Sequence, residues 1–145
     1  MCYILLLSTT SDRDLAQFNS ELVRFTRVLP KIADAQLLRH AHRWYVASKA
    51  GCSCTFRHLH SRDLGFGRPV DWYPEEPDEI DATIELVAVI RSLLDEGEAV
   101  DCVDTWQHHE DLPISEARLE IDLSSISDDE FRLFENHHFL FQAGS

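Results

Sequence analysis

The fold is decided by the stretch Pro77-Asp-Glu-Ile-Asp-Ala-Thr-Ile-Glu-Leu-Val-Ala-Val-Ile-Arg-Ser-Leu-Leu-Asp-Glu-Gly97 and by the run that follows it, Val100-Asp-Cys-Val-Asp-Thr-Trp106. In the first stretch apolar residues recur at helical spacing, a proline stands in the first turn and a glycine stands at the expected end. The second run has the composition of a strand. An amphipathic helix that leads into a strand predicts a helix packed on a sheet.

Outward from this unit, the chain alternates further strands and helices. Residues 2–8 predict a buried strand, and His138-Phe-Leu-Phe141 predicts a last one. Between Ser11 and Pro30, four apolar residues at helical spacing predict a second long helix: Leu15, Phe18, Leu22 and Phe25. Ser127-Asp-Asp-Glu130 has the capping-box pattern and predicts a short third helix that contains Phe131 and Phe134.

This order of elements predicts an α+β fold. We expect a mainly antiparallel sheet with two longer helices and one short helix packed on it. A ferredoxin-like core is one topology that fits the first six elements. The chain has 145 residues, of which 44% are hydrophobic, and residues 1–145 are therefore expected to form a single globular domain.

Composition also indicates a compartment. The apolar start, Met1–Leu7, is too short for a membrane helix and lacks the basic region of a secretory signal. We therefore expect a cytoplasmic protein that does not bind membranes. Thiols are normally reduced in that compartment, so the four cysteines do not predict a disulfide framework. Cys2 and Cys102 lie in apolar runs and are predicted to be core residues.

Charge is distributed unevenly along the chain. The net charge of −13 argues against nucleic acid as a partner. Residues 39–68 nevertheless carry six basic residues and one acid, whereas residues 69–145 carry a net −18. The basic segment is predicted to bind a small anionic ligand or an acidic protein partner, or to pack on acidic elements of the same chain. The two opposite charges also make a homodimer a candidate assembly.

The stretch Lys49-Ala-Gly-Cys-Ser-Cys-Thr-Phe-Arg-His-Leu-His60 concentrates most of the candidate chemistry in this basic segment. Cations and a turn glycine favour an anion site, for which eight residues are candidates: Lys49, Gly51, Cys52, Cys54, Arg57, His58, Arg62 and Arg68.

A metal site is the second interpretation of the same stretch. Thiolate and imidazole are zinc ligands, which makes Cys52, Cys54, His58 and His60 candidates for zinc. A straight strand spreads these four residues too far apart to bind one ion, so a turn near Gly51 would be needed, with His40 or His42 completing the shell. A reactive thiol at Cys52 or Cys54, or ordinary packing, are the remaining alternatives.

The sequence therefore predicts a cytosolic binding or interaction module with a basic surface over residues 39–68. The alternative is a metal- or thiol-dependent enzyme centred on Cys52, Cys54 and His58. Elemental analysis and rates of alkylation would separate the two.

Overall fold

The computed structural model describes residues 2–49, 51–60, 62–106, 113 and 115–142. Within these ranges, β-structure dominates and a single α-helix, α1 (Pro77–Asp95), is present together with three short 3-10 turns. Eight strands are described: β1 (Ile4–Thr9), β2 (Val23–Thr26), β3 (His42–Ser48), β4 (His58–Leu59), β5 (Val100–Thr105), β6 (Ala117–Ile121), β7 (Leu133–Phe134) and β8 (His137–Phe141).

Six of the described strands form one mixed sheet in the order β2-β3-β1-β5-β8-β6. All its pairs are antiparallel except β6 with β8, which run parallel. The other two strands, β4 and β7, pair in parallel beside it. The central strands β1 and β5 are buried at every position, because both faces of the sheet are covered.

The larger core lies between α1 and one face of the sheet. Leu5 and Leu7 of β1 pack there with Phe139 of β8 and with Leu86 and Ile90 of the helix. The opposite face has a smaller cluster, in which Ile4, Leu6 and Val103 pack with Ile32 and Leu38. Alternate residues of a strand point to opposite faces, which is why neighbours in β1 belong to different clusters.

The helix predicted from Pro77 to Gly97 is confirmed. It begins at Pro77, and the Glu79 carboxylate accepts a hydrogen bond of 2.7 Å from the Glu76 amide just before the first turn. It ends at Asp95, and Gly97 has a φ of +86°, a conformation that a side chain would disfavour.

The second long helix, predicted to begin at Ser11, is wrong. A 3-10 turn covers only Leu15–Phe18, and strand β2 follows with alternating burial. Asn19 accepts a bond of 2.6 Å from the Phe25 amide, and Ser20 accepts bonds from the amides of Leu22 and Val23. These side chains give the backbone partners that a helix would otherwise supply, so the chain turns and becomes extended.

The short helix predicted after Ser127 is also wrong. The Ser127 amide does bond to the Glu130 carboxylate at 3.0 Å, but the chain then extends into β7. The Leu133 amide donates to the carbonyl oxygen of Arg57 at 2.8 Å, so pairing with a distant segment replaces helical bonds. With one helix and a mixed sheet in the described residues, neither the three-helix α+β arrangement nor its ferredoxin-like core is present.

Within the described part of the chain, no helix has the length and apolar character needed to span a membrane.

Candidate metal centre

Ser53 anchors the loop that carries the Cys-x-Cys pair. It is fully buried, and its hydroxyl accepts from the Leu5 amide at 2.9 Å and donates to the Val46 carbonyl oxygen at 2.5 Å. Its own amide donates to the carbonyl oxygen of Tyr3 at 3.3 Å. Leu5 and Val46 are register partners in β1 and β3, so Ser53 fastens the loop to the ends of both strands.

A tight turn brings the chain back from β3 to Ser53. The Gly51 amide donates to the carbonyl oxygen of Ser48 at 3.0 Å, and the Ser48 amide donates to that of Cys52 at 2.8 Å. The Ser48 hydroxyl donates to the same Cys52 oxygen at 2.6 Å. Gly51 has a φ of +84°, which glycine adopts without steric cost. The turn predicted at Gly51 is therefore present.

Three cysteines converge beside this turn. Because Ser53 points into the protein, its neighbours Cys52 and Cys54 remain partly exposed. Cys2 is exposed, while the ring of the adjacent Tyr3 stacks on the buried His58 at 3.9 Å. The Sγ atoms of Cys2, Cys52 and Cys54 all lie within 4.8 Å of one another, so the three residues could hold a metal ion.

The surroundings shift the pKa values of Cys52 and Cys54 in opposite directions. Burial opposes ionisation of Cys52, but hydrogen bonds from the Cys54 amide and from the thiols of Cys2 and Cys54 outweigh it and lower its pKa. Burial and the hydrogen bond with the Cys52 thiol raise the pKa of Cys54 to about 12. The Tyr3 amide, which donates to the Cys54 Sγ at 3.3 Å, lowers the pKa but does not outweigh them. The cluster therefore favours one thiolate stabilised by its neighbours, and a cation would be needed to hold more.

The spacing suits a small thiophilic ion. Four sulfurs at the Zn–S distance of about 2.3 Å in a tetrahedron lie about 3.8 Å apart. Sulfurs already within 4.8 Å need only a small contraction to reach that separation. Three protein ligands would leave one of the four positions of zinc for another donor, and all three cysteines are at least partly exposed.

The two histidines predicted as ligands are not part of this cysteine group. His58 is buried, with Nδ1 2.8 Å from a carboxylate oxygen of Asp104 and Nε2 2.5 Å from the carbonyl oxygen of Ser53. Both contacts occupy ring nitrogens, so no lone pair is left for a metal. His60 is exposed and lines an apolar cavity of about 160 Å³ with Trp72 and Tyr73. Among the described residues, the ligand group consists of cysteines alone.

Arg57 is a buried structural cation in this structure. Its Nε and one Nη donate to the two carboxylate oxygens of Glu75, each at 2.8 Å, and it also donates to the carbonyl oxygen of Gly67 at 2.6 Å. Arg132, equally buried, donates to the same carboxylate at 2.9 Å. Two arginines around one glutamate tie the irregular segment before α1 to β4 and β7.

Other cations of the predicted anion site have acidic partners in the chain. Lys49 forms an ion pair with Asp78, and Arg68 forms one with Asp129 at 3.0 Å. Arg62 is exposed. The anion site stays a prediction, and these contacts agree with the alternative that the basic segment packs on acidic elements of its own chain.

Cys2 was predicted to be a core residue and not a ligand, but it is exposed and belongs to the cysteine group. Fifty residues separate it from Cys52, and the two meet because β1 pairs with β3 and because Ser53 ties the loop to Tyr3 and Leu5. No spacing rule in the sequence signals that contact. Comparison of the chain with known protein families, with curated proteins and with solved structures found no match.

Proposed function

We propose that this protein binds a thiophilic metal ion through Cys2, Cys52 and Cys54, and that the ion is Zn²⁺. The observation that supports this function is the convergence of three Sγ atoms within 4.8 Å at a partly exposed surface. The buried hydroxyl of Ser53 holds the loop that carries two of them, so the group is arranged before any ion arrives.

The donor set selects the class of ion. Thiolates prefer Zn²⁺ and Cu⁺, whereas Mg²⁺ and Ca²⁺ prefer oxygen ligands. A structural zinc site usually has four protein ligands, and three with an open position is the pattern of sites that accept a further ligand. An ion bound here could therefore be exchanged or shared with a donor from outside the chain. This supports a metal-binding function that remains open to solvent.

Cobalt titration tests the proposal, because Co²⁺ substitutes for zinc and gives sulfur-to-metal charge-transfer absorption only with thiolate ligands. Reduced, metal-free protein without an N-terminal tag should bind one Co²⁺ with that absorption, and Zn²⁺ should displace it. Cys54→Ser should lower the affinity by more than the ~10–100-fold that loss of an outer-shell partner costs.

Cys102→Ala is the matched control, since Cys102 is fully buried in the core and is not part of the group. It should leave the spectrum and the stoichiometry unchanged. Absence of charge-transfer absorption in the wild type, or an equal loss in both variants, would refute the site. Binding of Cu⁺ with no binding of Zn²⁺ or Co²⁺ would refute zinc as the ion.

A further inference from the structure

The two edge strands of the main sheet, β2 and β6, differ in whether their outward backbone groups are hydrogen-bonded. At the β2 edge, the Ser20 amide donates to the carbonyl oxygen of Val23 at 2.9 Å, and the Phe25 amide donates to the Asn19 side chain at 2.6 Å. The preceding segment therefore covers this edge. An edge whose backbone groups are already bonded does not recruit another strand.

The β6 edge is open in the part of the chain that the structure describes. Among the described strands, β6 pairs only with β8, and Ala117, Arg118 and Glu120 are exposed. The described residues provide no backbone partner on its outer side. Unpaired N–H and C=O groups along an edge are a template for a further strand.

The register of β6 shows which residues present those groups. The Gln142 amide donates to the carbonyl oxygen of Ile121 at 2.8 Å, so the backbone groups of Ile121 face β8. Along a strand these groups alternate in direction, so Ala117 and Leu119 also face β8. The backbone groups of Arg118 and Glu120 therefore point outward.

We propose that β6 pairs antiparallel with β6 of a second copy, with Leu119 on the two-fold axis. Arg118 then lies opposite Glu120 of the other copy, twice by symmetry, and each pair exchanges both of its N–H···O bonds. Opposite charges facing each other across strands stabilise the pairing. The partner is a second copy because the sequence of β6 is complementary to itself in this register.

Other registers lack this complementarity. A two-fold axis at Arg118 places two arginines opposite each other, and an axis at Glu120 places two glutamates opposite each other, which destabilises a pair of strands. The second axis would also bring Arg118 to Asp122, but Asp122 lies beyond β6 and its carboxylate already accepts bonds from Ser124. An axis between residues would leave the outward groups unpaired. Beyond β6, Glu116 would approach Asp122 of the other copy, so the pairing is confined to Ala117–Ile121.

Five residues make a small interface, and a net charge of −13 on each chain opposes association. The dimer should therefore be weak and should depend on protein concentration. Leu119, which is half-buried and packs on the core beside α1, gains cover from its symmetry mate. That apolar contact adds to the charge pairs on the opposite face of the strand.

Sedimentation equilibrium over a concentration series tests the pairing, with chelator and reductant present so that neither metal nor disulfides link copies. The wild type should show reversible dimerisation. Arg118→Glu should weaken it at least tenfold because two pairs become repulsive, and Glu120→Arg should do the same. The double variant restores opposite charges in the same register and should recover the wild-type constant.

Arg24→Glu provides the matched control, because Arg24 is an exposed arginine on the covered β2 edge and the net charge changes equally. It should dimerise like the wild type. A wild type that stays monomeric up to about 1 mM would refute the proposal, since that limit corresponds to about 4 kcal/mol of association. Equal weakening by Arg24→Glu and Arg118→Glu, or a double variant that does not recover, would also overturn it.

Discussion

Replacing Glu75 by glutamine should destabilise the protein more than most single changes. The side chain of Glu75 is only 4% exposed, and its two oxygens accept three hydrogen bonds of 2.8–2.9 Å from Arg57 and Arg132. Charge-assisted bonds of this kind are roughly twice as strong as neutral ones. Glutamine keeps the shape but removes the charge and turns one acceptor into a donor that faces a guanidinium.

The magnitude follows from the burial of the arginines. The side chains of Arg57 and Arg132 are 0% and 1% exposed, so Glu75→Gln leaves two cations away from water without a counter-charge. Breaking a buried ion pair by removing one partner costs about 3–5 kcal/mol. For the ion pair of Arg68 with Asp129, whose side chains are 72% and 41% exposed, the expected cost of Asp129→Asn is about 0–1 kcal/mol.

Urea unfolding at pH 7 measures both variants. With a slope of about 2 kcal/mol per molar, Glu75→Gln should lower the midpoint by about 2 M and Asp129→Asn by less than about 0.5 M. A loss at Glu75 no larger than that at Asp129 would contradict the reasoning, because it would mean that water reaches the buried arginines.

The difference in stability between the wild type and Glu75→Gln should depend on pH. Although burial alone would raise it, hydrogen bonds from Arg57 and Arg132 lower the pKa of Glu75 below its usual value of 4.5. Stability from this carboxylate is therefore present above pH 4.5 and is lost as the pH falls through the lower, folded-state pKa. Below the folded-state pKa of Glu75, the difference in stability between the wild type and Glu75→Gln should shrink. A constant difference down to pH 2 would contradict a stabilising charge on Glu75.

Three further predictions concern the loop of the metal centre. Ser53→Ala should leave the Leu5 amide and the Val46 carbonyl without a partner, which should destabilise the protein by about 1–3 kcal/mol for each group and weaken Co²⁺ binding. An unchanged melting temperature and an unchanged Co²⁺ affinity would refute the anchoring role of Ser53. Gly51→Ala should cost about 1–2 kcal/mol in thermal unfolding, since its φ of +84° strains a side chain, and no loss would show that the turn differs. Zinc affinity should rise steeply from pH 6 to pH 8 in competition with a chelator, because binding must remove the proton of Cys54, whose pKa is about 12; a flat profile would exclude this thiol as a ligand.

Elements with strong local signals could be predicted from the sequence. Helix α1 has a wide apolar face, a proline at its start and a glycine after its end, and β8 carries the apolar run Phe139-Leu140-Phe141 with polar residues on both sides. The helix predicted from Ser11 is wrong because the side chains of Asn19 and Ser20 accept hydrogen bonds from backbone amides and so compete with helical bonds. The apolar spacing from Leu15 to Phe25 fits a helix and also a turn followed by a strand.

The candidate site was predictable only in part. Cys52 and Cys54 could be predicted as ligands from their thiols and from the turn at Gly51, and the structure places both in the group of three cysteines. Cys2 joins them through the pairing of two strands, which the spacing of residues along the chain does not encode. Arg57 looked like an anion ligand because its partner Glu75 lies in an irregular segment whose path could not be derived from periodicity.

Zinc-edge X-ray absorption of the loaded wild type measures the coordination shell itself. Convergence of Cys2, Cys52 and Cys54 predicts three sulfurs at about 2.3 Å and one nitrogen or oxygen at about 2.0–2.2 Å, with fewer sulfurs in Cys54→Ser. A shell of only nitrogen and oxygen, or one unchanged by Cys54→Ser, would contradict a metal centre built from these three cysteines.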